Sequence, residues 1–195
     1  MQALEIKPLL VDTNRITLRL NHEEFEQICQ DNPDLRLELT ADGELVTMAP
    51  AGYESSERNF NLAFQVAKWI EKNQLGRGFD SSAGFTLPSG AIRSPDVTWI
   101  EKSKLANIPQ GVAFPLVVPD FVIELKSASD SLNTLQAKML EYRASGVKLG
   151  WLINPQKQQV EIYRLGQELE VLQAPSSLSG EEILPGFVLN LSSIF

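Results

Sequence analysis

Two apolar runs with a helix between them, spanning residues 121 to 154, constrain the fold of this chain more than any other feature. "FVIEL" reads as a strand buried on both faces. "SLNTLQAKMLEYRASG" sets Leu132, Leu135, Met139 and Tyr142 on one helical stripe and stops at Gly146, a residue suited to a helix C-terminus. "LGWLIN" then supplies a second buried strand. The first run carries an anomaly: Glu124 and Lys126 sit at its end, and a buried charge is costly unless it is paired or bound to metal.

The rest of the chain extends this pattern. "RITLRL" reads as a short lead-in strand, and "NHEEFEQICQ" as a helix with Asn21 at the N-cap and Glu24 completing a capping box. "LRLEL" and "ELVTMAP" flank Asp42-Gly43 as a β-hairpin, with Leu35, Leu37 and Leu39 alternating with Arg36 and Glu38. A helix is expected from Glu54 to about Gln74. Phe60, Ala63, Phe64, Ala67 and Ile70 form one apolar stripe on it, and Leu62, Val66 and Trp69 a second. Two stripes predict burial on two sides, against the sheet and against another subunit. Short strands separated by glycine and proline turns follow, the last over Asp96 to Ile100, and "QQVEIYRL" and "ELEVLQ" close the series. This order predicts an α/β protein with a central mixed sheet flanked by helices.

With 195 residues and 43% hydrophobic content, one domain over 1–195 is expected: a lead-in over 1–20, a core over 21–164 and C-terminal strands over 165–195. No apolar run reaches the ~20 residues that span a bilayer, and "MQALEIKPLL" lacks the blocks of a signal peptide, so no membrane association and a cytoplasmic location are expected. Cys29 is the only cysteine, which excludes an intramolecular disulfide and a cysteine-held zinc; it reads as a packed helix residue. His22, the only histidine, reads as a solvated helix-start residue. The net charge of −8 argues against a general nucleic-acid binder. That charge is divided as −6 over residues 1–50, +1 over 51–148 and −3 over 149–195, so the middle segment is close to neutral and binding there is not excluded.

Residues two apart in a strand share a face, so Val122, Glu124 and Lys126 project one way and Phe121, Ile123 and Leu125 the other. A second carboxylate from Asp96 on an adjacent strand would make an oxygen-rich site for a hard divalent cation, to which the Leu125 carbonyl adds a ligand. A neighbouring lysine can orient an attacking water or help deprotonate it, and can stabilise charge on a phosphate. Glu124 with Lys126 alone reads equally as an exposed ion pair worth ~0–1 kcal/mol.

Taken together, "RSPDVTWI", "DFVIELKSASDSLNTLQAKMLEYRASGVKLGWLINPQKQQVEIYR" and "GELVTMAPAG" resemble the Uma family of restriction endonucleases, within the PD-(D/E)XK nuclease superfamily. The resemblance spans roughly residues 20 to 190 and implies a restriction-endonuclease-like fold, magnesium (with manganese as an alternative) and hydrolysis of DNA phosphodiester bonds. It implies Asp96 and Glu124 as metal ligands and Lys126 as the catalytic lysine. Many members instead carry a lysine in the following helix, at the position of Lys138 here. An additional acid from the first core helix points to Glu54, with Glu57 second; a glutamate complementing the helix dipole accounts for either. Glu44 could line the site or be a solvated strand residue. Gln136 is placed where it could reach a water at the metal, or be a half-exposed helix residue. A homodimer, which would present two symmetric sites to two strands, is a further expectation. The competing class is a binding or assembly module that keeps the fold without turnover.

Overall fold

The structure, a computed structural model, describes residues 17–195. Most of the expected lead-in and "MQALEIKPLL" lie outside the described residues; Arg19, at the end of "RITLRL", bridges to Glu44.

Helix α1 (His22–Asp31) starts as its capping box predicts, with Asn21 accepting from the Glu24 N–H and Glu24 accepting from the Asn21 N–H. Strands β1 (Arg36–Leu39) and β2 (Leu45–Met48) form the hairpin, and its turn places Gly43 at φ 78°, a conformation glycine adopts without Cβ strain. Helix α2 (Tyr53–Asn73) follows. Next come β3 (Gly76–Asp80), β4 (Phe85–Thr86), β5 (Ile92–Arg93), β6 (Val97–Glu101) and the short α3 (Lys102–Leu105). The strand–helix–strand unit is β7 (Phe121–Leu125), α4 (Leu132–Ser145) and β8 (Leu149–Asn154). The chain finishes with β9 (Gln159–Arg164), β10 (Glu170–Gln173), β11 (Ser177–Ser179) and β12 (Val188–Asn190).

Six strands form the central sheet in the order β10-β9-β8-β7-β6-β3. Only β7 and β8 pair in parallel, because α4 carries the chain back across the sheet between them; the other pairings are antiparallel. A second sheet, β2-β1-β5-β4, stands beside it, and β11 pairs with β12.

The two faces of the central sheet follow the period-2 pattern of the strands. On one face, Phe121, Ile123, Trp151, Ile153, Val160 and Ile162 pack with Leu62, Val66 and Trp69 of α2 and with the C-terminal residues Leu184, Phe187, Leu191 and Ile194. Burying each such side chain fully is worth roughly 1.5–3 kcal/mol, which makes this the main core. On the other face, Val122, Leu152 and Tyr163 meet Met139 and Tyr142 of α4. The approach there is close. A Cβ on Gly150 would lie 2.6 Å from the Met139 terminal carbon and 3.3 Å from a Val122 methyl, so a larger residue here would require the Met139 side chain to shift.

Helix α2 buries one apolar stripe within the chain, Leu62, Val66 and Trp69; in the other, expected against another subunit, Phe60 and Phe64 are exposed in the single chain while Ala63 and Ile70 are half-buried. One expectation changes. The hairpin alternation places Glu38 with Arg36 on a polar face, yet Glu38 is 3% exposed. The small sheet packs toward α4, so that face of β1 meets protein rather than water.

Candidate active site

The register of β6 against β7 pairs Val97 with Ile123. One step further it sets Asp96 opposite Glu124, at the neighbouring ends of two adjacent strands. Asp96 Oδ2 accepts the Leu125 N–H at 2.7 Å, and Oδ1 accepts the Asn59 amide at 3.0 Å. Glu124 Oε1 accepts the Tyr142 hydroxyl at 2.8 Å and lies 2.9 Å from Lys138 Nζ. The same ammonium is 2.8 Å from Glu38 Oε1, which also accepts the Ser94 N–H at 2.8 Å. Glu38 Oε2 takes Arg93 at 3.2 Å, and Arg93 Nε reaches Glu141 at 2.6 Å. A chain of alternating charges therefore runs from α4 and β5 through Glu38 and Lys138 to Glu124.

The electrostatics follow from burial and these contacts. Burial, opposed by Lys138 and assisted by the charges of Asp96 and Glu38, pushes the Glu124 carboxyl up to about 7. Burial also raises Asp96, against the stabilising Leu125 N–H and the Lys138 charge. For Glu38 the burial effect is overcome by Lys138 and Arg93, which hold it below the ordinary carboxylate range. The Lys138 ammonium is favoured despite burial, because Glu124 and Glu38 flank it. Tyr142 is held protonated by burial beside the Glu124 charge.

Lys126 does not share this network. The strand ends at Leu125; the Lys126 N–H still donates to the Ile153 carbonyl, but its side chain folds onto the Ser127 carbonyl at 2.7 Å. Of the two candidate lysines, the structure therefore brings Lys138 to Glu124. Gln136 donates to Glu161 on β9 at 2.7 Å, where Tyr163 also donates at 2.6 Å. Register places Glu124, Leu152 and Glu161 in one row across three strands, so Gln136 lies two strands away from Glu124.

Glu54 is not brought to the carboxylates. It is 61% exposed and pairs with Arg58 at 3.3 Å, while Asn59 is the α2 residue that reaches Asp96. The phase of the helix is the reason: at ~100° per residue, neither Glu54 nor Glu57 shares the Asn59 direction, and Glu57 is exposed as well. Glu44 is also outside, paired with Arg19 at 3.0 Å. His22 Nε2 donates to the Gly90 carbonyl at 2.8 Å, tying α1 to the loop before β5. Cys29 packs in the cluster under α1 and the small sheet, and burial raises its thiol pKa.

The sequence reading missed Glu38, Tyr142 as a polar partner, Arg93 and Asn59. Glu38 shows no local signal, since an alternating Leu-Glu-Leu describes any half-exposed strand. Tyr142 was visible as an aromatic on the buried stripe of α4, and a buried tyrosine hydroxyl needs a partner.

These donors suit a hard divalent cation. Among the described residues no group of three or more His, Cys, Asp and Glu side chains is arranged to hold one. The set here is two carboxylates with carbonyl and amide oxygens, and magnesium commonly binds through one or two carboxylates while keeping waters. Asn59 Oδ1 is buried beside Asp96 and accepts no hydrogen bond, as an oxygen facing a cation shell would.

A mixed sheet with helices on both faces and paired acids at two adjacent strand ends defines the restriction-endonuclease-like α/β class. The chain belongs to the Uma2 family, described as "Putative restriction endonuclease", whose profile matches residues 22–192. The crystal structure of a "putative nuclease belonging to DUF820" from Anabaena variabilis is similar, with a TM-score of 0.70 at 20% identity over 80% of this chain and 88% of that one. At that identity the likeness speaks for the fold. No curated protein matches the sequence. Among the described residues no helix is long and apolar enough to cross a membrane.

Proposed function

We propose that this protein is a metal-dependent endonuclease that hydrolyses DNA phosphodiester bonds in the cytoplasm. The observation that carries the reading is the placement of Asp96 opposite Glu124 with the Lys138 ammonium 2.9 Å from Glu124. Asp96, Glu124 and the Leu125 carbonyl are the residues that would hold magnesium, or manganese in its place. Bound there, the ion would polarise a phosphoryl oxygen and offset the repulsion between the two acids.

The chain's own residues do the rest. Two carboxylates keep Lys138 charged, so it serves as a fixed positive charge for an attacking water and a phosphate rather than as a base. Tyr142 and Glu38 hold it and Glu124 in place. Lys126, half-buried at the same strand end, is free of carboxylate partners among the described residues and suits a backbone phosphate.

The net charge of −8 favours the alternative, a nuclease-fold binding module without turnover. Incubating purified protein with supercoiled plasmid and single-stranded DNA, each with magnesium or manganese, separates the two. Nicking by wild type that is lost in Asp96→Asn supports the enzyme. Absence of cleavage under every divalent metal, with metal or protein binding retained, leaves the module.

A further inference from the structure

One face of α2 serves neither the core nor the acidic site. Phe60 and Phe64, one turn apart, are 71% and 57% exposed, and Tyr53 is 81% exposed. Glu57, Ala67, Lys68 and Glu71 continue the same exposed ridge. Large aromatic side chains contiguous on a helix face mark an interaction surface.

We propose that this ridge is the two-fold interface of a homodimer, with α2 packed antiparallel on α2 of a second copy. Phe60 and Phe64 are equally spaced about Leu62. A two-fold axis at that point sets Phe60 against Phe64 of the partner subunit, and Phe64 against its Phe60. The same operation brings Glu57 to Lys68 of the partner subunit, within one residue of register, and Tyr53 to the partner's Glu71. Opposite charges meet, and a phenol meets a carboxylate. A parallel copy would instead set Glu57 on glutamate and Lys68 on lysine, so the charge pattern selects the antiparallel arrangement.

The shape of the ridge agrees with the charges. Helical side chains lean toward their own N-terminus, so in the antiparallel pair the partner's Phe60 leans toward higher residue numbers on the facing helix. A shallow hollow lies there, lined by Phe64, Ala67, Lys68 and Glu71, with the small Ala67 leaving the space.

Sedimentation equilibrium of the full chain tests this independently of any cleavage. Wild type is expected at twice the chain mass. Phe60→Glu with Phe64→Glu should be monomeric with an unchanged circular dichroism spectrum, since both residues are exposed. Glu57→Lys alone and Lys68→Glu alone should each raise the dimer Kd roughly tenfold, because two-fold symmetry breaks two pairs and creates two repulsions. The double reversal on one chain should restore the wild-type Kd. A wild type that stays monomeric up to its solubility limit overturns the proposal. So does a dimer that survives the paired Phe substitutions, or a double reversal no tighter than the single ones.

Discussion

Lys138 Nζ lies 2.9 Å from Glu124 Oε1, and both side chains are almost wholly enclosed, at 12% and 5% exposure. The pair links the middle of α4 to the end of β7. Taking two charges out of water costs several kcal/mol per ion, and apolar residues in their place are often as stable or more so. A buried pair beside a second acid therefore points to chemistry more than to stability. Of the two lysines in this segment of sequence, Lys138 meets Glu124 while the Lys126 side chain bonds the Ser127 carbonyl.

Lys138→Met, which keeps most of the side-chain volume, is expected to lower single-turnover plasmid nicking by roughly 10² to 10⁴-fold, the range of a well-placed catalytic group. Lys126→Ala should cost less than about tenfold, as a phosphate contact does. The reverse order would return the role to Lys126.

Asp96→Asn should weaken magnesium or manganese binding by more than about 100-fold in titration calorimetry, beyond the roughly 10–100-fold range of outer-shell changes. Glu54→Ala, remote from the carboxylates in this structure, should bind like wild type. Equal affinity of Asp96→Asn and wild type would remove Asp96 from the ligand set.

The metal-free protein should lose stability as the pH rises. Glu124 has an ordinary value of 4.5 and titrates at about 7 in the folded chain. Between those values the folded state binds more protons than the unfolded one. The contribution is full below about pH 4.5 and is lost as the pH passes 7, on the order of 3 kcal/mol. Urea unfolding in chelator, at about pH 5 and pH 8, should show this fall in wild type and a flatter profile in Glu124→Gln. Identical slopes would mean that Glu124 is already ionised at the lower pH.

Glu38→Ala should destabilise the fold by about 3–5 kcal/mol, because it leaves Lys138 and Arg93 enclosed without their shared anion. Glu38→Gln keeps an acceptor for the Ser94 N–H and should lose less. If Glu38 positions Lys138, Glu38→Gln should lower the single-turnover rate at saturating DNA while leaving DNA affinity unchanged. A rate equal to that of wild type would reduce Glu38 to a structural tie.

Local sequence determined much of this protein. The capping box of α1, the Asp42-Gly43 turn, the α4 stripe ending at Gly146 and the apolar runs of β7 and β8 are all properties of short segments, governed by backbone geometry and by which side chains share a face. The motif likewise set Asp96 and Glu124 at strand ends. What surfaces meet is a different matter, settled only when distant segments pack. Glu38 looks solvated in its hairpin and is buried because the small sheet packs toward α4. Asn59, rather than Glu54, reaches Asp96 because burial of Leu62, Val66 and Trp69 sets the rotation of α2. Lys138, rather than Lys126, serves Glu124 because the strand stops at Leu125 while α4 returns over it, and a carboxylate taken out of water draws in whichever cation the packing supplies.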